Sequence, residues 1–191
     1  MVLFGMILWV SSNLLHAQIS DFEAKILFER SIYIQKTGMI VLGSWATLNI
    51  LSGIPGTLQN HGNRKYFHQM NAAWNTVNLT IATFSFLAAL STDPSITSDQ
   101  IFVEMKQFDR ILLINAGLDL AYIGTGIYLW KRGFSTHSDR LIGYGKSVVL
   151  QGGFLLLFDG LLYLIHHQET KKLMLFGTEL SLNSNGFTLA F

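Results

Sequence analysis

Four apolar runs, at 37–54, 70–90, 111–130 and 147–166, decide most of what this chain can become. Each comes near the roughly 20 residues that an α-helix needs to cross a hydrocarbon core about 30 Å thick. Lipid offers the backbone no hydrogen bonds, so runs of this length cross it as helices that satisfy themselves. Buried helices of a soluble protein are the competing reading. Composition argues against that reading, because 50% of the 191 residues are hydrophobic and only 13% are charged, against about a quarter charged in soluble domains. Tyr66, Trp130, Tyr144 and Tyr163 stand near the ends of runs, where aromatic rings anchor spans at the interface. The expected fold is an all-α membrane protein with four transmembrane helices arranged as two tandem hairpins.

The flanks divide the chain further. Residues 1–18 read as an export signal, with the apolar stretch from Val2 to Val10 and small Ala17 at the cut, although no Lys or Arg precedes the stretch. A retained short anchor is the alternative. Residues 19–167 form the four-helix domain and 168–191 a C-terminal tail. Ser20, Asp21, Phe22 and Glu23 read as a capping box that opens a helix running into the first span. Ser98 and Asp99 open an amphipathic stretch with Ile101, Met105 and Phe108 on one face, leading into the third span. Both prolines, Pro55 and Pro94, fall between runs, where turns are expected. In the tail, 178–182 and 187–191 alternate apolar and polar residues around Asn185 and Gly186, the pattern of a short β-hairpin.

The two halves resemble each other. Residues 29–35 match 109–115 in charged, apolar and amide positions, and Arg64, Asn71 and Asn75 fall opposite Arg140, Ser147 and Gln151 at a constant offset. A duplicated hairpin implies repeats related by a pseudo-twofold axis along the membrane normal. With the signal removed, both termini would lie outside the cytoplasm. The two hairpin loops, at 55–69 and 131–146, would lie inside with six basic residues between them, while the outer segments carry seven, so charge gives this orientation modest support.

Gly43, Trp45 and Asn49 in the first span, the stretch 66–79 with Asn71, Trp74, Asn75 and Asn78, and Gly143 to Gln151 together resemble a family of small bacterial multipass membrane proteins known only as a domain of unknown function. The resemblance covers about 29–167. It implies a bacterial inner membrane and supplies no activity, ligand or catalytic residue.

Candidate functional residues come from helical geometry. At 100° per residue, Asn71, Asn75, Asn78, Ala82 and Ser85 form one stripe of the second span, and Asn115, Asp119, Tyr122 and Gly126 form one on the third. Ser147 and Gln151 line the fourth, and Gly38, Trp45, Asn49 and Gly53 the first. Lipid cannot satisfy these groups, so the stripes are expected to face inward and meet. The plain alternative is polar glue between helices. Asp119 and Asp159 carry the stronger functional expectation, because an acid at membrane depth is costly. They are expected at similar depth, influencing each other's protonation, with Asn115, Tyr122 and Gln151 as neighbours. Asp159 stands about 80° from Gln151 on its helix, which leaves a neighbouring subunit as an alternative partner. Gly117 and Gly124 on the third span, and Gly153 and Gly160 on the fourth, lie opposite the polar stripes and suit close helix packing, either with each other or with another subunit.

Several classes are disfavoured. The chain carries 13 basic and 12 acidic residues, so nothing in its charge draws nucleic acid. It has no Cys, and no cofactor motif stands out. His166 and His167 are adjacent and diverge around a helix, while His61 and His68 belong to the other end, so solvated interface histidines are expected rather than metal ligands. The favoured reading is an uncharacterised membrane protein acting as a structural or accessory subunit, in a homo-oligomer or larger complex. The alternative is binding or translocation of a small solute or proton through the polar cluster. An intramembrane enzyme ranks third.

Overall fold

The computed structural model describes residues 2–92 and 96–184, with side chains described for 21–92 and 96–175. It consists of α1 (Val2–Gln59), α2 (Gly62–Leu90), α3 (Ser98–Ser135) and α4 (Asp139–Ser184), and no strand occurs among the described residues. Four helical segments, Asp21–Gln59, Gly62–Leu90, Ser98–Ser135 and Asp139–Leu175, are long and apolar enough to cross a membrane.

The largest helix interfaces are α3 with α4 and α1 with α2, which makes two hairpins closed by the short links at 60–61 and 136–138. Both links lie at the same end, where the Tyr144 hydroxyl donates to Gln69 and Gly143 abuts the backbone of Asn63 and Phe67. The hairpins join through α4, which packs on α1 and α2, whereas α2 and α3 stay apart at the backbone. That separation opens a cleft between them.

Buried positions recur every seven residues, the repeat of helices that pack nearly parallel in a left-handed sense. On α3 they are Met105, Leu112, Asp119, Gly126 and Gly133. On α4, Gly152, Asp159 and His166 follow the same spacing. Close approach of two helices requires small residues at the contact. Here Gly126, Gly133, Gly145 and Gly152 supply it: a Cβ on Gly126 would lie 2.8 Å from the Val149 backbone nitrogen, and one on Gly152 would lie 3.2 Å from the Asp119 carbonyl.

Buried clusters therefore alternate along the bundle axis. Ala24, Phe28, Ile101 and Met105 pack α1 against the first turns of α3, at the end of the bundle away from the hairpin links. A second apolar group, Met39, Leu112 and Leu162, and a third, Leu42, Ala82 and Leu155, sit deeper. Polar groups occupy the levels between and below them.

Several expectations are corrected. Pro55 lies inside α1 rather than in a turn, because Gly53 and Gly56 let the last turns of α1 lie against Ala72 and His68 of α2, and the helix ends four residues after the proline. Pro94 lies outside the described residues. The segment from Ser20 to Glu23 is helix interior, since 2–20 is helical and continuous with the rest of α1, so no capping box opens there. Asp21 instead accepts a hydrogen bond from Ser98, tying α1 to the start of α3. The box that does form belongs to α3, one residue earlier than expected: Thr97 is the N-cap, and its backbone N–H donates to Gln100 Oε1 at 3.0 Å. The first strand expected in the tail, 178–182, is helical because α4 continues without a break through Ser184. Its expected partner, 187–191, lies outside the described residues.

Candidate functional site

Sequence placed Asn49, Asn71, Asn75, Asn78, Asn115, Asp119, Tyr122, Gln151 and Asp159 on inward stripes. The bundle separates them into two groups at different depths.

The deeper group, nearer the hairpin loops, is an amide network that crosses three helices. Gln151 of α4 is fully buried. Its Oε1 accepts from the Trp45 indole N–H of α1 at 3.0 Å, and its amide donates to Asn71 Oδ1 of α2. Asn71 in turn donates to Asn49 Oδ1 at 2.8 Å, while Asn75 donates to the Asn71 backbone carbonyl at 2.8 Å. Trp45 also stacks on Phe154, with ring centroids 3.9 Å apart, which fixes the indole for its bond. Satisfied chains of this kind hold helices in register.

The second group surrounds the cleft between α2 and α3. Leu42, Ala82 and Leu155 separate its acids from Gln151, and Asn78 lines the cleft while donating to Asn75 Oδ1 at 3.5 Å. Asp159 is buried and lines the same cleft as Asp119 and Asn115, so it faces into its own bundle and not toward a neighbouring subunit. Gln151 does not join the acids. Tyr122 lies at the cleft wall, edge-on to Trp74 across the gap at 4.9 Å. Two carboxyls that line one small cavity do not easily both ionise, because like charges repel.

The cleft encloses a cavity of about 330 Å³. Its walls are largely apolar, and Val77, Ile81, Ile111 and Leu118 are exposed at the rim. At the floor, Asp119 is only 2% exposed, and its Oδ2 has no hydrogen-bond partner among the described residues. No Lys, Arg or His lines this cavity. Serine and tyrosine hydroxyls are present in Ser85 and Tyr122 on the cleft wall.

A third polar node was missed in sequence. His166 is completely buried, contrary to the expectation of a solvated interface residue. Its Nδ1 lies 2.7 Å from one Asp109 oxygen, and His167 Nδ1 lies 2.8 Å from the other. The adjacent histidines diverge around α4, and α3 packs so near that one carboxylate bridges both rings. Phe108 stacks edge-on to His166, and Arg30 of α1 approaches Glu169 at 4.0 Å. A usable signal existed: His166 follows Asp159 by seven residues on the buried stripe. Met39, Leu112 and Leu162 separate this node from the acid pair. Among the described residues, no three His, Cys, Asp or Glu converge to hold a metal ion.

Gly117, Gly124, Gly153 and Gly160 do not seat α3 against α4, because a Cβ at any of them would meet nothing within 4 Å. Their faces point away from the bundle.

No curated protein and no solved structure matches the chain. Residues 41–160, which hold the amide network and the acid pair, match a Family of unknown function (DUF6992), and the chain belongs to that family.

Proposed function

We propose that this is a multipass membrane protein that admits a small, mostly apolar ligand from the bilayer into the α2–α3 cleft and holds its polar end against Asp119, Asp159 and Asn115. The observation that carries this reading is the cavity of about 330 Å³, whose apolar walls end on a buried carboxyl with an unpartnered oxygen. Polar groups that serve only as glue satisfy one another, as the amide network does. Apolar layers on both sides of the acid pair favour binding over passage of a solute through the bundle.

A thermal-stability series in lipid nanodiscs tests the reading, using octylamine, octanol and octanoate as probes. At least one should stabilise the wild type, as a ligand of the folded state must, and should lose its effect in Leu118→Trp, where the larger side chain fills the rim. No stabilisation by any probe, or equal stabilisation of Leu118→Trp, would overturn it.

The accessory-subunit reading keeps one observation in its favour, the open glycine faces of α3 and α4. Gly124→Leu and Gly160→Leu would then release a second copy or partner on a native gel. The proposal takes residues 1–18 as an export signal and the bilayer as a bacterial inner membrane, with both termini outside. Cysteines introduced at Asn63 and Ser135 should label from one side; labelling from opposite sides would eliminate that topology.

A further inference from the structure

We infer that the cleft selects a lipophilic amine, a molecule with one positive charge on an apolar body. This rests on the cleft being a binding site, and it adds the charge of the ligand. The floor holds two carboxyls of which Asp119 is almost fully buried, lines the cavity and keeps Oδ2 unpartnered. A carboxyl pair that shares one proton carries one negative charge, and a cation at the floor would supply the counter-ion that a buried charge needs.

Among the described residues, no basic side chain lines the cavity to act as counter-ion. The nearest cations on α3 point elsewhere: Lys106 lies over the Phe102 ring, and Arg110 is exposed. On α4, His166 and His167 are engaged by Asp109 beyond the layer of Met39, Leu112 and Leu162.

One helical turn along α2 and α3, a second depression is lined by Ser91, Thr92, Asp99, Gln100 and Glu104, and the depression next to it carries Lys25, Glu29 and Lys36. The selectivity for an ammonium group therefore rests on the carboxyls at the floor of the cleft itself. Asn115 and Asn78 line the same cavity and offer oxygens for the ammonium's remaining N–H bonds. Trp74 and Tyr122 present aromatic rings on either side of the gap, surfaces that also favour a cation. An anionic ligand would face two acids with no compensating donor charge.

The same probe series separates this inference from the reading beneath it. Apparent dissociation constants, taken from the concentration dependence of the melting temperature, should rank octylamine about ten-fold tighter than octanol, the advantage of one charge-assisted hydrogen bond. Octanoate should bind least. Asp119→Asn should remove the amine's advantage while octanol binding persists, and Asp119→Glu should retain part of it. Should octanol or octanoate bind in a Leu118-dependent manner as tightly as octylamine, the cleft remains a binding site and the amine inference fails. Should octylamine keep its advantage in Asp119→Asn, the carboxyl pair is not what recognises it, and the inference fails as well. Should no probe bind, both readings fall together.

Discussion

Gln151→Leu is the substitution whose cost can be followed most directly from the structure. The two side chains are similar in size, so little cavity is created and the change is mainly one of hydrogen bonding. Gln151 accepts from Trp45 and donates to Asn71, linking α4 to α1 and α2 from a fully buried position. Two interhelical bonds at about 0.6 kcal/mol each set a lower bound near 1.2 kcal/mol. The Trp45 N–H and Asn71 Oδ1 are then stranded, and each buried orphan adds about 1 kcal/mol or more. The expected loss is therefore about 2–4 kcal/mol. Trp fluorescence during unfolding in mixed micelles measures it, because Trp45 itself reports the site. Trp45→Phe with Gln151→Leu should cost less than the sum of the two singles, since the orphaned indole is gone. A Gln151→Leu protein as stable as wild type, or strict additivity in the double variant, would refute the account of the network.

Two further substitutions test the packing and the outer node. Gly145→Val should destabilise by about 1–3 kcal/mol or more because its Cβ would press on the Trp130 backbone and the Gly126 carbonyl, while Gly117→Val, with open space around it, should unfold within about 0.5 kcal/mol of wild type in the same assay. His166→Leu should cost about 3 kcal/mol by removing a partner from buried Asp109, and adding Asp109→Leu should recover part of that loss; no recovery would mean the pair does not carry the interaction.

The helical body of this fold was legible because its four runs are long and apolar enough to cross a membrane. The inward stripes followed from angular spacing, and they correctly brought Trp45, Asn49, Asn71 and Gln151 into reach of one another. Residues 2–20 show where local signals mislead. Ser20 and Glu23 have the chemistry of a helix start, yet the helix continues through them, and a cap motif cannot say whether the preceding residues are also helical. Asn185 with Gly186 had turn chemistry, but helix-compatible residues after His167 let α4 run on to Ser184. The glycines divide for a similar reason. Gly117, Gly124, Gly153 and Gly160 carry the same spacing as the packed glycines, and only the rotation of each helix decides which set meets a neighbour. His166 was hidden by its adjacency to His167, which suggested divergence, whereas a single carboxylate with two oxygens serves both rings. The cleft could not be read at all, since it depends on α2 and α3 standing apart across the bundle.

The chain has no cysteine, so the cleft can be probed one thiol at a time. Ser85→Cys lines the cavity, Ala88→Cys lines the depression at its mouth, and Thr83→Cys is exposed on the outer face of the same helix. With a small cationic thiosulfonate added from the outer side, Ser85→Cys should react at a rate comparable to Ala88→Cys and be slowed by octylamine, while Thr83→Cys stays unmodified in lipid. If Ser85→Cys is as inert as Thr83→Cys toward this reagent, and octylamine does not slow its reaction with a membrane-permeant maleimide, the α2–α3 cleft is closed to ligands and the central claim is contradicted.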